Sequence, residues 1–161
     1  MIIKIKYFIF LANFFIGFLL MATVFLNSGE SFTLANNASV YGASGSGLEK
    51  ILVVGSPTLT LDQNIERIEL PGNLNQYTFK IQGNQALVQL GTTLIATIGI
   101  QGDTDGTKLV FADGAANLKI TGLNAGMLGT GSLSTTFATV TTSLDTTDLS
   151  GTAAPSTLSQ T

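Results

Sequence analysis

The residues of this 161-residue chain best suited to chemistry are three aspartates near turn sequences, Asp103, Asp105 and Asp113. Calcium takes carboxylate and carbonyl oxygens as ligands, so these three side chains form the candidate calcium site. The competing interpretation is turn chemistry alone, because an aspartate readily hydrogen-bonds the backbone two residues further on. The spacing is not that of an EF-hand, since Gly106 follows Asp103 too early, and turn chemistry is therefore the preferred interpretation.

Histidine and cysteine are both absent from the chain. Their absence excludes Ser-His-Asp and Cys-His catalysis, zinc thiolates, histidine-ligated metal centres and disulfides. A pair of carboxylates could still hydrolyse a glycosidic bond, and Asp62, Glu66 and Glu69 are the candidates for such a pair. Solvent-facing charges or a structural ion pair explain these residues more simply. We therefore predict that the chain is not an enzyme, with no catalytic residue assigned.

Charge and aromatic content restrict the partners. The formal net charge is −3, and the residues from Glu30 onward carry all ten acidic side chains but only five of the seven basic ones. Nucleic acid is excluded as a partner because its binding requires clustered Lys and Arg. Tryptophan is absent, but Tyr41 and Tyr77 could stack on a sugar ring, which keeps a glycan-binding module as an alternative.

An uncharged apolar segment covers residues 7–26 and follows Lys4 and Lys6. Such a run is long enough to cross a hydrocarbon core of about 30 Å as a helix. Residues 1–29 are therefore predicted to be a signal peptide or a retained membrane anchor, with a cut after Ser28 or Gly29 in the first case. The flanking lysines predict a cytoplasmic N-terminus and an exported remainder, either secreted or anchored with its C-terminal domain outside.

Residues 30–131 show the pattern of an all-β domain. The segments 77–81 and 117–121 alternate apolar and polar residues, as half-buried strands do. Gly83-Asn84 favours a type II′ hairpin, and Asp113-Gly114 favours a type I′ hairpin. The stretch 61–70 is ambiguous, because its apolar spacing also suits a short helix ending at Pro71.

Residues 132–161 form a Ser/Thr-rich stretch in which large apolar side chains are rare. This composition predicts a flexible or weakly ordered tail. The alternative is one last strand, whose apolar residues would be Phe137, Val140, Leu144 and Leu149.

Four segments, 32–42, 61–72, 77–84 and 109–114, together resemble a module of large bacterial surface and secreted proteins. This module is often found beside haemolysin-type (RTX) calcium-binding repeats. The resemblance implies a β-roll or solenoid-like fold with hairpins, and it favours a strand-bearing turn at 61–70. It also implies calcium as a cofactor. However, residues 42–49 contain one degenerate copy of the glycine-rich repeat, with Glu49 where the family has Asp.

The expected fold is therefore all-β, a β-roll, solenoid-like coil or sandwich with β-hairpins, preceded by one N-terminal apolar helix. The expected function is that of a non-enzymatic, extracytoplasmic structural or adhesive module of a bacterial surface or secreted protein. Its partners would be other cell-surface or matrix components, and the membrane through residues 7–26 if they are not cleaved. The alternatives are a glycan-binding module and a carboxylate-dependent, glycan-active enzyme.

The topology can be tested directly in cells that produce the full chain. Because Lys4 and Lys6 precede the apolar run, we expect protease added outside spheroplasts to digest an anchored domain. A cleaved chain should instead appear outside the cells. Recovery of intact, soluble chain from the cytoplasm would contradict the predicted orientation.

Overall fold

The structure is a computed structural model that describes residues 21–45, 47–103 and 105–150. These residues form two mixed β-sheets, which confirms the all-β prediction. Sheet A has the spatial order β1 (Ala22–Phe25), β3 (Ala38–Tyr41), β5 (Leu59–Leu61), β9 (Thr93–Gly99), β8 (Gln85–Leu90) and β7 (Tyr77–Gln82). Sheet B has the order β13 (Gly131–Ser132), β12 (Ala125–Leu128), β11 (Gly114–Gly122), β10 (Thr107–Phe111), β6 (Arg67–Glu69), β4 (Lys50–Val53) and β2 (Ser31–Leu34).

The first part of the chain passes alternately from sheet A to sheet B. As a result β1, β3, β5 and β9 pair in parallel in sheet A, and β2, β4, β6 and β10 pair in parallel in sheet B. Parallel neighbours need a long connection, and here the strand of the opposite sheet provides it. We call these four turns the parallel coil. The antiparallel hairpin β7–β8 is inserted between the third and the fourth turn of the coil. Strands β11 to β13 follow the fourth turn.

One hydrophobic core lies between the two sheets. Alternate residues of each strand face it, as the two-residue period of a strand requires. The largest fully buried side chains are Tyr77, Phe79, Phe111, Ile51, Leu59, Leu61, Ile65, Ile68, Leu70, Ile81, Ile95 and Ile98.

The first turn of the coil overlaps the predicted N-terminal helix. Most of the apolar segment lies outside the described residues, but Ala22–Phe25 forms strand β1 rather than the end of a helix. Leu26 is buried in the core, and the backbone N–H of Gly29 donates to Glu49 Oε1. A cut after Ser28 or Gly29 would therefore remove a strand and a core side chain from the fold.

The ambiguous stretch 61–70 is a strand-bearing turn and not a helix. Strand β5 ends at Leu61 and β6 begins at Arg67. Between them, Asp62 Oδ1 accepts hydrogen bonds from the backbone N–H groups of Gly42 and Asn64. The carboxylate thus closes the turn and ties it to the preceding turn of the coil.

Of the two hairpin predictions, one is confirmed and one is wrong. Gly83 has φ +59 between β7 and β8, the sign that a type II′ turn requires at its first central residue. In the second hairpin Phe111 pairs with Gly114, so Ala112 and Asp113 are the central residues, and neither has a positive φ. The turn is therefore not a type I′ turn centred on Asp113-Gly114.

The segment after β13 packs against both sheets as far as Ser150, the last described residue. Phe79 and Ala138 exchange two backbone hydrogen bonds at the edge of sheet A. Ala115 and Asp145 do the same beside β11 in sheet B. We call residues 133–150 the C-terminal strap. Main-chain pairing orders the strap, and this contribution is not visible in its Ser/Thr-rich composition.

Gly114 has φ +145, and a Cβ atom there would lie 2.6 Å from Leu144 Cβ in the strap. We therefore expect Gly114→Val to lower the free energy of unfolding by about 1 kcal/mol or more, through backbone strain and this clash. The measurement is thermal or urea unfolding. Gly102→Val is the matched control, because its Cβ would meet nothing within 4 Å and its φ is not positive. Equal stabilities of the two variants would contradict this reading of the turn.

Candidate functional site

The outer face of sheet A carries a row of hydroxyl groups across the parallel coil. Thr23, Ser39, Thr60 and Thr97 are in register on β1, β3, β5 and β9. They point away from the core because their strand neighbours alternate into it, and all four are partly or fully exposed. Neighbouring strands lie about 4.8 Å apart, so the row presents evenly spaced donors and acceptors without a charge.

Two exposed aromatic rings lie beside this hydroxyl row. Phe25 and Tyr41 are register partners on β1 and β3, and their rings stack with centroids 5.3 Å apart and an interplanar angle of 20°. Phe25 is 58% exposed and Tyr41 is 44% exposed. Exposed aromatic side chains next to polar groups are typical of binding surfaces, because they offer contact area at low entropy cost. We call the aromatic pair and the hydroxyl row together the sheet A surface.

The second tyrosine considered for sugar stacking is not available for it. Tyr77 is fully buried and lies against Phe111, with ring centroids 5.7 Å apart. Its hydroxyl donates a hydrogen bond to the carbonyl oxygen of Pro71. Burial raises the pKa of Tyr77 to about 12. Only Tyr41 of the two tyrosines can therefore contact a ligand.

The structure separates the three candidate calcium ligands. Asp103 and Asp105 precede β10 and Asp113 follows it, so the strand, about 16 Å long for five residues, lies between them. Asp103 Oδ1 accepts from the N–H of Gly106 and Asp113 Oδ1 accepts from the N–H of Leu74. Within the described part of the chain, no three acidic side chains are grouped to hold a metal ion. The bond at Asp103 is the turn chemistry that was the preferred interpretation, whereas the bond at Asp113 comes from a residue 39 positions earlier in the chain.

A different set of acidic side chains meets at the start of β6 and β10. The pKa of Glu66 is raised by burial, and then by the nearby charges of Asp103, Asp105 and Glu49. Glu66 and Asp105 line a shallow hollow with Arg67 and Lys108. Opposite charges therefore share this hollow. Of the other carboxylates considered for catalysis, Asp62 closes a turn and Glu69 is buried in an ion pair.

The outer face of sheet B carries a row of cations instead of hydroxyls. Lys50, Arg67 and Lys108 are in register on β4, β6 and β10. Glu69, which is 1% exposed, accepts from Arg67 Nε at 2.9 Å and lies 3.5 Å from Lys50 Nζ. The three cations are thereby brought together along one sheet face, and Glu69 supplies negative charge at one side of the row.

Asp148 of the C-terminal strap supplies the other negative charge. Its two oxygens accept from both terminal nitrogens of Arg67, at 2.7 and 2.8 Å, and Oδ2 also lies 3.0 Å from Lys108 Nζ. Hydrogen bonds from Arg67 first, and then from Lys108, lower the pKa of Asp148 to about 2. The same pairing raises the pKa of Arg67. Asp148 thus anchors the strap across β6 and β10.

Sequence reasoning did not find this ion network or the aromatic pair. Arg67 and Asp148 are 81 residues apart, and their pairing depends on where the strap crosses sheet B. Phe25 was assigned to the apolar N-terminal segment, which concealed its pairing with Tyr41. A repeat signal was nevertheless present, because Glu49-Lys50 and Glu66-Arg67 place the same charge pattern on successive turns.

Comparison with protein-family models, with curated proteins and with solved structures gave no match. Within the described residues, no helix is long and apolar enough to span a membrane.

The contacts of Asp148 predict a measurable dependence of stability on pH. Since its folded pKa lies below the unfolded value, the pairing stabilises the fold at neutral pH, and this contribution is lost as pH falls from about 4 towards 2. Asp148→Asn should therefore lower the free energy of unfolding at pH 7 by about 1–2 kcal/mol, allowing for the exposure of Lys108. Unfolding of both proteins would be followed in urea from pH 7 to pH 3.

The difference between wild type and Asp148→Asn should shrink as the pH approaches 3. Asp145→Asn is the matched control, because Asp145 is exposed and, among the described residues, its carboxylate accepts only from Thr147 in its own turn and forms no ion pair. A stability difference that stays constant with pH would contradict the assigned role of the Asp148 carboxylate.

Proposed function

We propose that this chain is a non-enzymatic, extracytoplasmic structural or adhesive β module of a bacterial surface or secreted protein. The observation that carries the proposal is the exposed, stacked pair Phe25–Tyr41 beside the uncharged hydroxyl row of sheet A. Large exposed apolar side chains beside polar groups mark interaction surfaces in soluble domains. The partners would be other cell-surface or matrix components.

The parallel coil supports the structural side of this proposal. A coil whose turns pair through main-chain hydrogen bonds displays its outward side chains in straight, evenly spaced rows. The coil is consistent with the β-roll that the resemblance to RTX-associated modules implies. Export from the cytoplasm belongs to the same proposal and rests on Lys4, Lys6 and the apolar run that follows.

A glycan-binding module is the second candidate, and Tyr41 is the observation that favours it. Its ring is exposed beside the row of hydroxyl groups, and a sugar offers both a C–H face and hydroxyl groups to such a surface. Calcium at Asp103 and Asp105 remains a prediction of the resemblance, without Asp113 as a third ligand.

The test measures binding of the full-length chain to two immobilised panels, one of bacterial cell-wall and capsular polysaccharides and one of bacterial surface proteins. We expect Tyr41→Ser to weaken binding about tenfold, because truncating an aromatic anchor typically costs about 1–2 kcal/mol. Leu123→Ser is the control, since Leu123 is 84% exposed and lies in the turn between β11 and β12.

Binding confined to the polysaccharide panel would establish the glycan-binding alternative. Binding to surface proteins would support the adhesive module. If the chain binds to neither panel, or if Tyr41→Ser and Leu123→Ser bind alike, the sheet A surface is not the functional site.

A further inference from the structure

The two sheets of the parallel coil have an open edge at the same end. β1 is the edge strand of sheet A and β2 is the edge strand of sheet B, and both belong to the first turn. Within the described residues, each pairs with a strand on one side only, β3 and β4 respectively. An edge strand of this kind presents a row of backbone donors and acceptors that can pair with another strand.

The groups that face the open side can be identified from the hydrogen bonds on the other side. The carbonyl groups of Glu30 and Leu34 accept from β4 and from the residue that follows it. The backbone of Ser31 and Thr33 therefore points the opposite way. In sheet A the N–H groups of Ala22 and Leu26 donate to residues next to β3 or at its end. The same alternation turns the backbone of Thr23 and Phe25 to the open side.

The hydrophobic core is incompletely covered at this end. Val24 and Phe32 face the core from β1 and β2 but are only partly buried. Their register partners one turn further in, Val40 and Ile51, are 1% and 0% exposed. Val24 and Phe32 are therefore the core side chains that remain partly exposed at the open end.

The opposite end of the molecule is covered. The C-terminal strap pairs with the outer edge of β7 through Phe79 and Ala138. It also packs on the last strand of sheet B, where a Cβ atom at Gly131 would lie 2.4 Å from Val140. A head-to-tail assembly would have to displace the strap, whereas a contact between two open ends would not.

We propose that a second copy of this chain covers the open end, with its own open end, about a two-fold axis normal to both sheets. This axis pairs β1 with β1 of the partner and β2 with β2 of the partner, both antiparallel, so that each sheet continues from one copy into the next. The assembly closes at two copies, because an isologous contact uses the same surface on both. Sheets that combine parallel and antiparallel pairs, as these would, are common.

The register follows from the backbone directions. Thr23 must lie opposite Phe25 of the partner, since both have outward-facing backbone groups. Val24 then lies on the two-fold axis against its own copy, in a non-hydrogen-bonded pair with Cα atoms about 4.5 Å apart. In the same way Phe32 meets Phe32, and the two open cores close on each other. Neither β1 nor β2 contains a charged residue, so no like charges are brought together.

The absence of cysteine from the chain makes a direct test possible. In the full-length chain extracted in a mild detergent, Val24→Cys should form an intermolecular disulfide on oxidation, because the expected Cα separation lies within disulfide range. The readout is a band of twice the monomer mass on a non-reducing gel. Leu123→Cys is the control, since it is the more exposed position and lies away from the open end.

The second measurement is the mass of the wild-type chain in solution by light scattering, which should be that of two copies. Thr33→Pro removes an outward-facing N–H without removing a bond to β4, and an edge strand tolerates such a proline. It should therefore yield a monomer, whereas Thr33→Ala, which keeps the N–H, should remain a dimer. If Thr33→Pro does not fold, the crosslinking pair decides the question alone.

Three results would overturn the proposal. The first is a single-copy mass for the wild-type chain at the highest soluble concentration. The second is equal crosslinking of Val24→Cys and Leu123→Cys. The third is a monomer whose Thr23 and Thr33 amides are protected from hydrogen exchange, which would assign the open end to residues 1–20 of the same chain. None of these results depends on ligand binding, so they are independent of the proposed function.

Discussion

Main-chain pairing between successive turns of the parallel coil is the constraint on which the rest of the structure depends. Each turn places one strand in sheet A and one in sheet B, so the two sheets grow together and enclose one core. A strand of the coil is stabilised by the turns on both sides of it, which makes the internal turns complete and the terminal turns incomplete. The groups that the coil presents to solvent therefore lie on its outer faces and at its ends.

Register pairing also explains the charges of sheet B. A parallel coil stacks equivalent residues of successive turns, so the similar sequences Glu49-Lys50 and Glu66-Arg67 place cations side by side. Such a row is unfavourable by itself, because like charges in neighbouring strands repel each other. Glu69 within the sheet and Asp148 from the strap provide the counter-charges. Arg67 is almost fully buried, so its charge requires a partner inside the protein. The strap supplies that partner, the carboxylate of Asp148.

Two strands and one turn could be predicted from the sequence because their signals are local. Alternation in 77–81 and 117–121 identifies β7 and β11, and the positive φ of Gly83 follows from its place between two strands. The hairpin at Gly114 was misread, because Asp-Gly is a turn signal whose register is set by the pairing of β10 with β11. If the pairing register of two strands changes by one residue, the central residues of the turn change too. The Asp-Gly dipeptide alone does not determine that register.

Partners distant in the sequence account for the remaining differences. Tyr41 and Tyr77 are equivalent as residue types, but the core encloses Tyr77 and leaves Tyr41 exposed. The strap was misread for a related reason, since hydrophobicity reports side-chain burial and not backbone pairing.

Hydrogen bonds order the small polar residues of the strap, while Val140 and Leu144 pack against the core. Thr142 Oγ1 accepts from the N–H of Thr130, and Ala115 and Asp145 pair through their backbones. A chain that wraps the edges of a coil needs main-chain contacts along its length and few large side chains, so a Ser/Thr-rich segment suits this role. The Ser/Thr-rich composition of the strap thus follows from its position across strand edges. Small side chains there allow the backbone of the strap to approach the backbone of the strand.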